Sequence, residues 1–204
     1  MQWWPVVEGG SLRRKVVSMS RENVSTTILL KAVYFAASKH QKKRRKDVDA
    51  SPYINHPIAV AHLLAEVGGV TDLDTLVAAV LHDTIEDTKT TGRELEEEFG
   101  RGVREVVEEV TDDKGLDPAV RKQRQVERAP HLSRRAKAIK LADKISNVGD
   151  VTNSPPADWD LPRRTEYLDW TEKVVAGCRG TNDALEILYD QVLATGRATL
   201  ASSS

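Results

Sequence analysis

The run His82-Asp83-Thr84-Ile85-Glu86-Asp87 follows directly on an apolar segment, Leu76-Val77-Ala78-Ala79-Val80-Leu81. Segments of that composition pack inside a fold. The run therefore sets an imidazole and a carboxylate side by side where a buried segment ends, with two further carboxylates just beyond. Adjacent His and Asp can both reach one divalent cation. Glu86, four positions after His82, would share its helical face if the helix ran on. Titratable groups gathered at such a place are costly unless something is bound to them, and a metal ion is the economical occupant.

The rest of the chain reads as a string of helices. Ile28, Leu29, Ala32, Val33, Phe35 and Ala36 form a helical stripe over Thr27 to His40. A basic run, Lys42 to Lys46, leads into a loop over Asp47–Asn55. Pro57 opens the next helix at its first position, and Gly68-Gly69 closes it. Asp72 caps a third helix running into His82. Thr91 with Glu94 makes a capping box before Leu95–Phe99, and Gly100 ends that turn. A further helix covers Val103–Val110, and Lys114–Pro118 is a loop by composition. Ser133 caps a helix holding Ala136, Ile139, Leu141, Ala142 and Ile145. Asn153–Pro162, with three prolines, is irregular, and helices over about Arg164–Cys178 and Asp183–Thr195 follow. No strand alternation competes and no repeat is present, so the expected fold is all-α.

With 204 residues, the chain has the length of a single domain with a full core. A net charge of −1 argues against bulk nucleic-acid binding. The single cysteine, Cys178, excludes an intrachain disulfide framework; it reads as a core filler in a reducing, cytoplasmic setting. No apolar stretch is long enough to span a membrane, and the start of the chain lacks the apolar core of a signal peptide. Residues 1–20, with Trp3 and Trp4, read as an N-terminal tail, and Met19 as an alternative start.

Other chemistry-bearing residues stand on separate segments. His56 lies in Asn55-His56-Pro57, just before a helix. Asp143 lies in Lys140-Leu141-Ala142-Asp143-Lys144, on the face of Ile139, which is awkward for a purely surface residue. Taken singly, each has a bland reading: a solvated loop histidine, and an aspartate paired with a flanking lysine. Taken together, His56, His82, Asp83 and Asp143 make an N₂O₂ donor set suited to Mn²⁺, Fe²⁺ or Zn²⁺.

That ordered set resembles the His, His-Asp, Asp signature of the HD phosphohydrolase superfamily. Glu86-Asp87 narrows the resemblance to the hydrolase domain of the RelA/SpoT alarmone enzymes. From about Leu29 to Leu193 the chain is similar to small, stand-alone members, including the animal SpoT-like hydrolase. The matching strings are Pro52 to Pro57, His82 to Thr88, Val110 to Lys114, Lys140 to Lys144 and Gly180-Thr181-Asn182. The resemblance implies an HD-type helical bundle over residues 21–197, with 198–204 as a C-terminal tail. It implies hydrolysis of the 3′-pyrophosphate of ppGpp or pppGpp to GDP or GTP and pyrophosphate, with one Mn²⁺ held by His56, His82, Asp83 and Asp143. Metal coordination lowers the pKa of a bound water from 15.7 towards ~7. Glu86 and Asp87 are the implied catalytic groups, orienting that water and accepting its proton.

The same resemblance matches Arg45 and Lys46 to nucleotide contacts, where an arginine plane can stack on guanine. Asn147 matches a substrate-contacting asparagine. Arg163 and Tyr167, one helical turn apart, match residues at the phosphate end. In one respect the chain departs from the animal pattern: Pro118 stands where that relative carries a lysine. Lys114, Arg121 or Lys122 could take over its phosphate contact. The synthetase half of the long RelA/SpoT proteins is missing, which implies a one-way hydrolase. Two other readings stand beside this one. An HD phosphatase acting on NADPH or a (deoxy)nucleotide would use the same metal set and release orthophosphate. A catalytically dead binding module would be favoured by loss of any of the six metal or acid residues, and all six are present.

Overall fold

A computed structural model describes residues 21–202 of the chain, with side chains from residue 24 onward; the expected N-terminal tail and alternative start lie outside the described residues. The expected helical class is found: the described residues hold ten α-helices, one 3₁₀ turn and a single isolated bridge between Arg44 and Pro52. Helix α1 (Arg21–Lys39) is followed by the basic loop and then α2 (Asn55–Glu66) and α3 (Leu73–Leu81). A short α4 (Thr84–Asp87) precedes the paired α5 (Gly92–Phe99) and α6 (Arg101–Val110). The chain closes with α7 (Pro118–Arg128), a 3₁₀ turn (Ala129–His131), α8 (Arg134–Asn153), α9 (Leu161–Ala176) and α10 (Asp183–Ser202).

Side-chain caps set several of these boundaries. The carboxylate of Asp72 accepts from Thr75 N–H, the hydroxyl of Thr91 from Glu94 N–H, and the hydroxyl of Ser133 from Ala136 N–H. Each satisfies an amide that the first helical turn leaves without a partner. In the Thr91 capping box only this half is formed by hydrogen bonding, because the Glu94 carboxylate turns to Lys39 instead.

Several boundaries differ from the sequence expectation, among them α1, which starts at Arg21, and α9, which starts at Leu161. Helix α2 starts at Asn55, so Pro57 lies within its first turn, where a missing N–H costs nothing. Helix α3 stops at Leu81, and Asp83 (φ −96°, ψ −1°) separates it from α4, so His82 and Glu86 are not on one continuous helix. Helix α7 lies in a stretch for which no helix is expected; the Asp117 carboxylate accepts from Ala119 N–H and Pro118 takes the first position. Helix α10 continues to Ser202, past the expected end near Thr195, and Leu200 is buried there.

The core is centred on α3 and α8. Val77, Ala78, Ala79 and Leu81 are fully buried, as are Ile139, Leu141, Ala142 and Val148. Each buried Leu, Ile or Val of this kind adds roughly 1.5–3 kcal/mol relative to exposure. Helix α8 packs against α2, α6, α9 and α10, which fixes its position on several sides. Where α10 meets α8 and α9, a methyl on Gly196 would sit 2.7 Å from Thr152 Oγ1 and 3.2 Å from Leu168 Cδ2, so the glycine allows a close approach there. Cys178 is fully buried in the core, and burial pushes its thiol up to about 11. Among the described residues no helix is long and apolar enough to cross a membrane.

Candidate metal centre and its cleft

Three helices bring the imidazoles and carboxylates of the motif to one point. His56 comes from the first turn of α2, His82 from the C-terminal cap of α3, and Asp143 from the middle of α8. One donor atom from each lies within 4.8 Å of the other two, and all three residues are buried. Nε2 of His56 is 3.1 Å from Asp143 Oδ1, and Nε2 of His82 is 3.9 Å from the same oxygen. Asp83 completes the rim, its Oδ2 lying 3.2 Å from His82 Nε2 and 4.0 Å from His56 Nε2.

The surroundings of these groups suit a cation. His82 Nδ1 lies 2.8 Å from the Ala79 carbonyl and can only donate to it, so the neutral ring would present its Nε2 lone pair to the cluster. That Nε2 is buried and has no hydrogen-bond partner. A buried polar atom without a partner is expensive, and a divalent ion would satisfy it. Beside His56, Ser146 Oγ is 3.2 Å from Nδ1 and holds the ring from behind. Burial works against ionising Asp143, but Lys144, 2.9 Å away, and then His56 hold its carboxyl well below the usual carboxylate range. Burial likewise opposes ionised Asp83, and His82 and His56 overcome it. The Tyr53 hydroxyl donates to Asp83 Oδ2. The residues fit a divalent metal of the kind an HD hydrolase domain carries.

Next to this cluster, α4 presents two acids. Glu86 accepts from Asp112 N–H at 3.2 Å; burial, then the charge of Asp83, raises its carboxyl above the ordinary range. Asp87 is held by two ammonium groups, Lys43 on Oδ2 and Lys114 on Oδ1.

A cleft with two lobes, of about 460 and 480 Å³, opens over the cluster. Arg45, Lys46, Asn147 and Tyr167 line both lobes, and Arg163 lines the second. Asn147 donates to Asp143 Oδ1 at 2.7 Å and accepts from Arg45 at 3.4 Å, while Arg45 also pairs with Asp150. Arg163 lies 4.7 Å above the Trp159 ring, and Tyr167 stands between Trp159 and Trp170, each 5.2 Å away. Burial pushes the Tyr167 phenol up to about 12. Pro118 opens α7 on the wall of the second lobe, beside Arg121 and Lys122. Lys122 lies over the Trp170 and Tyr167 rings, and Lys114 is on the first lobe.

Every residue singled out from sequence for this site is on the cluster or the cleft wall. The sequence reading missed the roles of Tyr53, Lys43, Lys144 and Trp159. Tyr53 lies within a matching string and Lys43 within the basic run, so both carried a local signal. Trp159 lies in the proline-rich stretch and carried none. Lys144, one of the two lysines flanking Asp143 in the sequence, does pair with it, but inside the fold: it is 3% exposed, with Nζ on Asp143 and 4.5 Å from the Trp170 ring centre.

Residues 32–168 match the HD domain family model. The guanosine-3′,5′-bis(diphosphate) 3′-pyrophosphohydrolase MESH1 of Danio rerio is 51% identical over 168 residues, 82% of this chain and 93% of that protein. The protein of the same name from Homo sapiens is 53% identical over 158 residues, 78% of this chain and 88% of its own. Among solved structures, a metazoan ortholog of SpoT that hydrolyzes ppGpp and plays a role in starvation responses aligns with a TM-score of 0.80. Its identity is 42%, over 82% of this chain and 94% of that one.

Proposed function

The chain belongs to the HD-domain family, with relatives among the RelA/SpoT-type pyrophosphohydrolases, and from that premise we propose that it removes the 3′-pyrophosphate of guanosine 3′,5′-bis(diphosphate). The observation that carries this reading is the convergence of His56, His82, Asp83 and Asp143 beside the Glu86-Asp87 pair, in a cleft walled by cations.

In the reaction, a water oxygen bonds to the phosphorus attached to the 3′-oxygen, the bond from that phosphorus to the 3′-oxygen breaks, and the 3′-oxygen takes up a proton to become the product hydroxyl. The products are GDP and pyrophosphate, or GTP and pyrophosphate from pppGpp. His56, His82, Asp83 and Asp143 would hold a divalent ion, with Mn²⁺ as the proposed occupant for a mixed imidazole and carboxylate set. When bound, the ion supplies Lewis acidity to water and phosphoryl oxygen. Glu86 and Asp87 then orient the water and take its proton. Burial, then the charge of Asp83, raises the Glu86 carboxyl, which makes it a better proton acceptor than an ordinary carboxylate. Arg45 and Lys46 face the guanosine together with Asn147. The 5′-pyrophosphate extends towards Arg163 and Tyr167, which both line the second lobe. The buried, unpaired Cys178 fits the reducing cytoplasm proposed as its setting.

The test is turnover of ppGpp, pppGpp and NADPH by the purified protein with Mn²⁺, products resolved by anion exchange. GDP and pyrophosphate from ppGpp are expected. Orthophosphate from NADPH with ppGpp left intact would replace this reading by that of an HD nucleotide phosphatase.

A further inference from the structure

We propose that Lys43 and Lys114 form a paired cation site for the pyrophosphate end of the substrate, with Asp87 as the internal anion that holds them until that group arrives. The inference rests on the hydrolase reading and adds to it two residues that serve neither metal nor base.

The two lysines reach Asp87 from separate loops, one before α2 and one before α7, and line the same lobe of the cleft. The Asp87 side chain is only 6% exposed, whereas those of Lys43 and Lys114 are 32% and 47% exposed, so the ammonium groups cover the carboxylate from the solvent side. One carboxylate balances only one of two ammonium charges. Asp83 and Glu86 also act on Lys43 by charge, but Asp83 lies against His82 and accepts from Tyr53, and neither acid forms an ion pair with either lysine.

Lys43 is moreover partly desolvated. Its Nζ lies 3.6 Å from the centre of the Tyr53 ring, and burial pulls its ammonium down to about 8. Such a group gains more from a second anion than one already in water. Two members of the basic run are tied elsewhere: Arg44 donates to the Gln41 and Lys43 carbonyls, and Arg45 pairs with Asp150. Lys43 is the member of the run that reaches the catalytic acids.

A pyrophosphate group carries several charges on oxygens that two lysines can share, so it displaces a single carboxylate. The exchange leaves Asp87 ionised and without its ammonium partners beside the attacking water. A proton acceptor is thereby unmasked only when substrate is in place.

The test titrates inorganic pyrophosphate into the Mn²⁺-loaded protein by calorimetry, in one manganese buffer so that chelation is common to all variants. Lys43→Gln and Lys114→Gln are each expected to weaken pyrophosphate about tenfold or more, the worth of one charge-assisted hydrogen bond. Asp87→Asn removes the internal competitor and is expected to bind pyrophosphate as tightly as the wild type or more tightly, although its turnover is lost. Wild-type affinity in both lysine variants, no pyrophosphate binding by the wild type, or a loss in Asp87→Asn matching that of the lysine variants would overturn the proposal. If ppGpp were not a substrate, the functional reading would fall on the turnover assay, while the calorimetry would still report on the lysines.

Discussion

His40 ends the first helical stripe in a setting that should make the fold sensitive to acid. It is 2% exposed, both ring nitrogens lack hydrogen-bond partners, and its ring lies 4.8 Å from that of Tyr53. Burial, opposed by Asp83 and reinforced by Lys43, holds its pKa down from 6.5 to about 4. With the folded value below the unfolded one, the unfolded chain takes up the proton first as pH falls. Stability is therefore unaffected well above pH 6.5, declines as pH falls through that value, and levels off below about pH 4. The difference between 6.5 and about 4, at 1.36 kcal/mol per unit, is about 3 kcal/mol in full, of which roughly 2 kcal/mol is developed at pH 5. That is a large part of the ~5–15 kcal/mol that holds a typical domain together. The assay is urea unfolding of the wild type, His40→Phe and His40→Leu over this pH range. Either variant will carry a constant offset from altered packing, so the informative quantity is the change of that offset with pH. It should move in favour of the variants by about 2 kcal/mol on going from neutral pH to pH 5. Wild type and variants losing stability in parallel would refute the reasoning and show that folded His40 accepts a proton without penalty.

At the metal cluster, His82→Ala and Asp143→Ala should each abolish bound metal, measured by elemental analysis after dialysis; full occupancy in either would remove it from the ligand set. Glu86→Gln and Asp87→Asn should keep the metal and lose kcat by roughly two orders of magnitude or more, as expected for groups that transfer protons. Near-normal kcat in both would end their assignment. Arg163→Ala should penalise ppGpp more than an analogue without the 5′-phosphates, and equal losses would mean that the nucleotide lies the other way round. Gly196→Ala should lower stability by about 1–3 kcal/mol in thermal or urea unfolding despite alanine's better helix propensity, because the methyl meets Thr152 and Leu168.

Local signals carried most of the scaffold. Asp72, Thr91 and Ser133 announce helix starts with side chains whose bonding is complete within three residues, and each caps its helix, although the Glu94 half of the Thr91 box is not formed. Helix α7 escaped notice because periodicity reports burial, and none of its residues is buried; its only announcement was Asp117-Pro118. The break between α3 and α4 was equally hidden. The run from Leu76 to Asp87 contains no glycine or proline, and it is the site geometry that requires His82 and Asp83 to face one point. Within the site, residue type and order picked out His56, His82 and Asp143, since few other roles suit such groups on apolar faces. The positions of Lys43 and Lys144 depend on which loop or helix comes to lie opposite, and that is settled only when distant segments meet.

The hydrogen bonds from Arg45 through Asn147 to Asp143 join the nucleotide wall to the metal cluster in two steps. A ligand that fixes Arg45 and Asn147 also fixes the carboxylate on which the ion depends. If the proposed nucleotide and ion both bind there, thermodynamic linkage works in both directions by the same factor, so a nucleotide that tightened the ion would be tightened by it equally. The affinity of the resting protein for its metal would thus understate that of the protein at work. Under that coupling, at ion concentrations too low to fill the free protein, a rise in the proposed nucleotide would itself recruit the ion needed to hydrolyse it.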